Sequence, residues 1–262
     1  MFPVIKKNIM DKTIIAWTNF SFNPWLGCVK VSDGCKNCYA ESLTKNRMGL
    51  SVWGKDANRQ RTSEGNWKKP LKWNKQAEET GQNLVFCVSL ADIFEDNAKL
   101  IQWRYDLFQL ILQTPNLEWQ ILTKRPENIN RLLPIELPQN VWLGTSVEDE
   151  RVVERAEILK TTNAKIKFIS YEPAIGALAH AIDLTGIDWL IYGGESGPGY
   201  RPENKQWARD IMQLCRETGT AFFHKQSSAF RTEMGIELDG QIIREFPDYQ
   251  KTQTARQEPE LF

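Results

Sequence analysis

Residues 189–196 read WLIYGGES, in which four apolar residues are followed by two glycines and then by two polar residues. Near-continuous apolar runs of this length are typical of strands that are buried on both faces, as in a parallel sheet. Further runs of this character occupy 14–17, 84–89, 118–123, 141–146, 166–170 and 221–224. Between several of them, apolar residues recur at helical spacing, at 100–114, 149–162 and 204–219. This alternation predicts an α/β fold built on a parallel sheet.

Nearly every predicted strand is followed by polar or glycine residues. The candidate site residues at these strand ends are Asp92, Lys124, Arg125, Ser146, Ser170, Glu172, Gly193, Gly194, Glu195, His224 and Lys225. Polar groups that converge at the carboxyl ends of successive strands are typical of a barrel active site, whereas an open sheet needs them only at its switch point. Seven strands are one fewer than a full barrel has. The sequence therefore predicts a parallel (β/α) partial barrel.

The length and composition fit one domain over residues 1–247, with an insertion at 39–83 and a flexible polar tail at 248–262. Since the formal net charge is zero, overall charge indicates no partner. No apolar run is long enough to cross a membrane, and the first residues do not read as a signal peptide. We therefore expect a cytoplasmic protein without a membrane partner.

Three of the five cysteines lie in NPWLGCVKVSDGCKNC, residues 23–38. Thiolates are soft ligands that suit iron–sulfur clusters and zinc. Cys28, Cys35 and Cys38 can hold three irons of a [4Fe–4S] cluster and leave the fourth iron open for S-adenosylmethionine (SAM). A zinc site completed by Cys87 or His224, and three reduced cysteines without metal, remain alternatives. Cys87 and Cys215 are expected in the core.

A set of motifs resembles a family of phage-associated and bacterial proteins that share a three-cysteine motif and are grouped with the radical SAM barrels. The motifs are the cysteine segment, WGK at 53–55, the W-x2-P-x2-WN pattern from Trp67, YGGESG at 192–197 and FFHKQ at 222–226. The resemblance implies a barrel related to the TIM barrel, reductive cleavage of SAM and an electron donor such as a flavodoxin or ferredoxin.

The resemblance also implies roles for the strand-end residues. The glycine loop, with Gly193, Gly194 and Glu195, is expected to bind SAM, and a tight turn with a helix cap is the alternative. From their positions at strand ends, Ser146, Ser170, Glu172 and Lys124 are candidates for further contacts, with strand-end, cap or solvated-loop roles as the alternatives. The common radical SAM motif spaces its cysteines by three and then two residues and has an aromatic residue before the last cysteine. Here the first gap is six residues and Asn37 precedes Cys38, so Tyr39, which follows it, is the candidate for cofactor contact. Asp92, Arg125, His224 and Lys225 are candidate substrate contacts, with structural roles as the alternative for each.

The segment 45–75 has nine basic and two acidic residues and contains Trp53, Trp67 and Trp73. Basic groups neutralise phosphates and indole rings can stack on bases, so these tryptophans and Arg61 are candidate contacts to nucleic acid. The alternative is a structured insertion that packs its tryptophans on the barrel and leaves its lysines in water.

The function predicted from the sequence is that of a radical SAM enzyme acting on an unknown substrate, with nucleic acid or a nucleotide as the candidate. The second hypothesis is a non-catalytic, metal-stabilised module that binds nucleic acid. A barrel hydrolase is disfavoured because the chain has only two histidines.

Overall fold

The structure, a computed structural model, describes residues 13–248. Its main sheet has seven strands, all parallel, whose spatial order follows their order along the chain. They are β1 (Phe20–Ser21), β4 (Leu84–Cys87), β5 (Glu118–Thr123), β6 (Val141–Ser146), β7 (Ile166–Tyr171), β8 (Trp189–Gly193) and β9 (Ala221–Gln226). A separate antiparallel pair joins β2 (Trp25–Leu26) to β3 (Gln60–Arg61). The seven-stranded sheet curls into a half-barrel, which confirms the predicted partial barrel.

Seven α-helices accompany the strands: α1 (Tyr39–Met48), α2 (Glu64–Trp67), α3 (Lys69–Thr80), α4 (Ile101–Leu112), α5 (Ile129–Leu132), α6 (Glu154–Lys160) and α7 (Lys205–Thr218) within the described residues. Short 3-10 turns precede three of them, at Ala98–Leu100, Pro126–Asn128 and Glu150–Val152, and a fourth lies at Asp33–Cys35. The predicted helices at 100–114, 149–162 and 204–219 correspond to α4, α6 and α7. The segment 39–83 is structured and contributes α1, β3, α2 and α3.

The first predicted strand is wrong. Residues 14–17 form a turn, and the edge strand is the two-residue β1 that follows. Trp17 lies inside the half-barrel, where its ring centroid is 4.5 Å from that of Phe86 and 6.0 Å from that of Trp189. Residues 14–17 are therefore apolar because this segment fills the interior of the half-barrel, and not because it forms a strand.

Alternation along the strands divides the core into two layers. The inner layer is an aromatic cluster that includes Trp142, Phe168 and Phe223. The outer layer packs residues such as Ile169 and Tyr171 against the surrounding helices, and it contains Cys87 and Cys215, both fully buried as predicted. Because aromatic rings fill the interior beside the strands, the polar strand ends are left at the carboxyl mouth of the half-barrel.

The β9 edge of the sheet is covered by the chain's own backbone. The N–H of His224 donates to the carbonyl oxygen of Ile243 at 2.8 Å, and the N–H of Glu245 donates to that of Phe222 at 3.0 Å. This antiparallel segment occupies hydrogen-bonding groups that an open edge would expose. The predicted flexible tail lies, apart from Asp248, outside the described residues.

Candidate functional site at the mouth of the half-barrel

The cysteine segment crosses the carboxyl ends of the strands. The N–H of Gly27 donates to the carbonyl oxygen of Leu90, beyond β4, at 2.9 Å. Arg125, beyond β5, donates to the carbonyl oxygen of Val29 at 2.7 Å. Asn37 donates to Glu195, beyond β8, at 2.9 Å. The cysteine segment and the polar strand ends therefore lie at the same end of the sheet, where the strands finish, as the barrel prediction requires.

Asp92 and Arg125 form a buried ion pair behind the segment, with 2.8 Å between Oδ2 and Nη1. The carboxylate of Asp92 also accepts from the hydroxyl of Thr123 at 2.7 Å and from the N–H groups of Phe94 and Lys124. Its hydrogen-bonding capacity is used inside the protein. Asp92 therefore supports the site by joining the ends of β4 and β5, which favours the structural alternative for this residue.

Glu148, beyond β6, is 1% exposed and joins the cysteine segment to two cations. It accepts from the Ser32 hydroxyl at 3.1 Å, from Lys124 at 2.6 Å and from Arg155 at 2.9 Å. Burial alone would raise the pKa of this carboxyl, but Lys124, Arg155 and the hydroxyl hold it below its ordinary value. Gly34 is pressed against it, since a Cβ atom there would lie 2.4 Å from Oε1 of Glu148.

Glu195, in the predicted SAM loop, also binds the cysteine segment. Besides Asn37, its carboxylate accepts from the backbone N–H of Arg201 at 2.8 Å and from that guanidinium, whose Nε lies at 2.9 Å. Burial would raise its pKa, but Arg201 and Asn37 lower it below the ordinary value. At Gly194 a Cβ atom would meet the backbone N of Ser228 at 2.1 Å. The absent side chain at 194 is thus explained by packing within the protein itself.

The inner wall of the mouth carries two hydroxyls on neighbouring strands. Ser146 and Ser170 are paired in register and are 1% and 2% exposed. Neither hydroxyl is hydrogen-bonded within residues 13–248. Lys225 forms an ion pair with Glu172. Glu172 also packs closely on Gly193, where a Cβ atom would lie 3.0 Å from its carboxyl carbon. The structure therefore brings together Ser146 with Ser170, and Glu172 with Lys225 and Gly193.

The three cysteines of the segment are reduced, and none forms a disulfide. Burial raises the pKa of the Cys28 thiol to about 12, and burial likewise raises that of Cys38 above its ordinary value. Such thiols stay protonated unless a cation stabilises the thiolate. Cys28 Sγ lies 3.3 Å from the carbonyl oxygen of Val29, and Cys35 Sγ lies 3.9 Å from the Ser32 hydroxyl.

In the described part of the chain, no three or more His, Cys, Asp or Glu side chains are arranged so that they could hold a metal ion. The chemistry of the donor set suits a soft metal group, since three reduced thiols share one segment. Their present orientations do not gather the sulfur atoms.

Two other predicted residues, His224 and Tyr39, differ in where they lie. His224 is 1% exposed on the outer face of β9, where its ring stacks on Tyr192 at 5.6 Å and its Nδ1 lies 3.2 Å from the carbonyl oxygen of Ile236. Tyr39 is 54% exposed, and its hydroxyl donates to the carbonyl oxygen of Ser89 at 3.0 Å. His224 thus follows its structural alternative, whereas Tyr39 borders the mouth beside Cys38.

The tryptophans of 45–75 face inwards. Trp73 is 2% exposed and stacks on Phe20 with ring centroids 4.6 Å apart, and Trp67 is 8% exposed with Arg61 lying over its ring at 3.8 Å. Trp53 is partly buried and donates to the Thr44 hydroxyl at 2.6 Å. For Trp67 and Trp73 the expectation of stacking on bases is replaced by core packing.

Sequence reasoning missed five residues that fix the cysteine segment: Ser32, Asn37, Glu148, Arg155 and Arg201. Ser32 and Asn37 bind Glu148 and Glu195, which are 116 and 158 positions away, whereas Arg155 and Arg201 bind the same two carboxylates from seven and six positions away. The only local signal was that Ser32 and Asn37 lie inside the cysteine segment and that Arg201 follows the glycine loop.

None of the helices within residues 13–248 is both long enough and apolar enough to cross a membrane. No curated protein and no solved structure matches the chain. Residues 12–247 match the family described as Protein of unknown function (DUF5131). Since that match covers nearly the whole chain, the protein belongs to the DUF5131 family.

Proposed function

We propose that this protein is an iron–sulfur enzyme of the radical SAM type. In this proposal Cys28, Cys35 and Cys38 hold a [4Fe–4S] cluster, and the carboxyl mouth of the half-barrel binds SAM. The observation that carries the proposal is the fixing of a three-thiol segment across the strand ends by Arg125, Glu148 and Glu195. When bound, such a cluster supplies an electron and an iron with an open coordination position.

The residues of the mouth suit a zwitterionic ligand that carries hydroxyls. Ser146 and Ser170 are nearly buried residues whose hydroxyls make no hydrogen bond within the described residues, so both hydroxyls are free to bind a ligand. Glu172 offers a carboxylate and Lys225 an ammonium group. The two can exchange their mutual ion pair for ion pairs with the amino and carboxylate groups of a ligand. Glu195 and Lys124 already have partners, so we assign them to holding the cysteine segment and the mouth in place.

The metal part of the proposal is tested by anaerobic reconstitution with iron and sulfide. Wild type should take up both and develop the broad visible absorbance of an iron–sulfur cluster. Cys35→Ala should lose most of this uptake. Cys215→Ala is the matched control, because it removes a thiol that is buried in α7 and should keep the uptake. Uptake of zinc in place of iron, or equal iron in the Cys35→Ala protein, would contradict the assignment.

The SAM part is tested by titration calorimetry on the reconstituted protein. Ser170→Ala should weaken SAM binding several-fold, since loss of one hydrogen bond of an ordinary kind costs about 0.5–1.5 kcal/mol. Thr80→Ala is the control, because it removes an exposed hydroxyl at the end of α3, before the amino end of β4 and away from the mouth. If SAM does not bind to protein with full iron content, the radical SAM assignment fails even though the cluster stands.

A further inference from the structure

A groove of about 450 Å³ opens between α1, the antiparallel pair of β2 and β3, and α2. Leu26 and Leu90 form part of its wall, and both belong to the small apolar cluster beneath α1. Because Gly27 donates its N–H to the carbonyl oxygen of Leu90, this wall is continuous with the segment that carries Cys28. The groove therefore adjoins the candidate site, although none of the strand-end side chains of the mouth lines it.

Several polar groups in the groove have hydrogen-bonding capacity to spare. The side-chain amide of Gln60 and the hydroxyl of Ser21 have no partner within the described residues. Arg61 pairs with Asp106 through Nη2 at 3.0 Å, and its guanidinium lies over the Trp67 ring at 3.8 Å. Its side chain is 27% exposed and lines the groove, so its positive charge is accessible to a ligand there.

The side of the groove next to α1 is apolar, and exposed basic residues neighbour its lining residues along the chain. Met48 is 48% exposed and lines the groove together with Leu50. Arg47, beside Met48, and Lys68, two residues beyond the groove-lining Asn66, are both exposed. Within 45–75 the exposed basic residues are Lys45, Arg47, Lys55, Lys68, Lys72 and Lys75, whereas Arg59 is buried against Glu95.

We propose that this groove binds a nucleotide of a single-stranded nucleic acid. A base offers donors and acceptors at its edge for Gln60, Ser21 and Arg61, and a flat face for Met48. The phosphates on either side meet Arg47 and Lys68. A single strand fits better than a duplex because an unpaired base can turn out of its stack and enter a groove of this size.

This inference names the substrate class of the proposed enzyme and rests on that proposal only in treating the bound strand as substrate. The binding itself needs no cluster. A positive result would therefore assign the groove whether or not the cysteines hold iron.

The first test is fluorescence anisotropy with short labelled DNA and RNA oligonucleotides, single-stranded and duplex, at low salt. Met48→Glu places a carboxylate in the groove and should weaken binding of a single strand by about tenfold or more, because the apolar contact to the base is lost and the carboxylate repels the phosphates. Met234→Glu is the matched control, because Met234 is 50% exposed and lies outside the groove. It should bind as wild type does.

The second test uses the salt dependence of binding. Arg47→Ala and Lys68→Ala should each reduce the slope of log affinity against log salt by about 0.7, the value for one phosphate contact on a single strand. Arg216→Ala removes an exposed arginine on α7 and should leave the slope unchanged. Thermal melting of each variant establishes that it is folded.

Three results would overturn the groove assignment: no binding of any oligonucleotide by folded wild type at low salt, equal weakening by Met48→Glu and Met234→Glu, or tighter binding of duplex than of single strand. Iron content measured on the same samples separates this failure from that of the proposed enzyme. Iron uptake without oligonucleotide binding removes only the groove, and binding without iron uptake removes only the cluster.

Discussion

The Nη1 group of Arg125 lies 3.5 Å from the Sγ atom of Cys28. The same nitrogen donates to Asp92 at 2.8 Å, and Nη2 donates to the carbonyl oxygen of Val29 at 2.7 Å. One guanidinium thus joins a buried carboxylate to the first cysteine of the segment and to the backbone that follows it. The orientation of Cys28 therefore depends on the Asp92–Arg125 pair.

We expect Asp92→Asn to lower the free energy of unfolding by about 3–5 kcal/mol, because it leaves a buried cation without its counter-charge. The matched control is Asp96→Asn, since Asp96 also pairs with an arginine but is largely exposed. That change should cost about 0–1 kcal/mol. Urea unfolding measures both, and equal costs would show that the Asp92–Arg125 pair is no more important than a surface pair.

A second prediction concerns Gly34, which lies against Glu148. In Gly34→Ala the new Cβ atom meets Oε1 of Glu148 at 2.4 Å, so either the carboxylate or the cysteine segment must move. We expect a loss of about 1–3 kcal/mol in unfolding free energy. Gly65→Ala is the control, because its nearest neighbour lies at 3.9 Å and alanine favours the helical position by about 1 kcal/mol.

The strands that the sequence predicted well are those with long apolar runs. β5 and β6 begin and end at the predicted residues, because strands buried on both faces leave a continuous apolar signal. β1 is only two residues long and leaves no periodic signal, whereas the nearby apolar run at 14–17 predicts a strand that the structure does not have. Trp17 shows the reason: residues that fill the interior of the half-barrel are as apolar as those of a buried strand, so composition does not distinguish the two.

The site was predicted less completely than the fold. The cysteine spacing and the polar strand ends are local features of the sequence. The contacts that join them, Ser32 to Glu148 and Asn37 to Glu195, are set by the closing of the sheet, and neither pair is close in sequence. Whether Trp73 faces the core or solvent also does not follow from the sequence. Its basic neighbours on the chain fit a solvent-exposed stacking surface as well as the buried position that the structure shows.

A third prediction follows from the depressed pKa of Glu148. The pKa of the Glu148 carboxyl is lower in the folded protein than in the unfolded chain, where it is about 4.3. Ionised Glu148 therefore stabilises the fold when the pH is above about 4.3, and this stabilisation is lost as the pH falls through the folded pKa. Glu148→Gln should therefore be much less stable than wild type at about pH 7. The difference should shrink as the pH falls below about 4.

Urea midpoints across this pH range measure the effect of Glu148→Gln. Glu157→Gln is the control, because Glu157 pairs with Lys160 but is 58% exposed, so screening by water keeps its contribution small. A Glu148→Gln difference that stays constant with pH would show that its cost comes from the changed shape or hydrogen bonding and not from the charge.

The last prediction separates core packing from base stacking in the basic segment. Trp73 stacks on Phe20 within the core, with only 8° between the ring planes. Trp73→Ala should therefore cost about 3–5 kcal/mol in unfolding free energy, the range for a large buried aromatic side chain. Trp53→Ala should cost less, because Trp53 is only partly buried. If Trp73 served as a stacking platform, its loss would instead weaken oligonucleotide binding by about 1–3 kcal/mol while stability changed little. Measured at a temperature where both variants are folded, oligonucleotide affinity and its salt slope should remain those of wild type in Trp73→Ala, because the nucleic acid is expected in the groove beside Met48 and not on this ring.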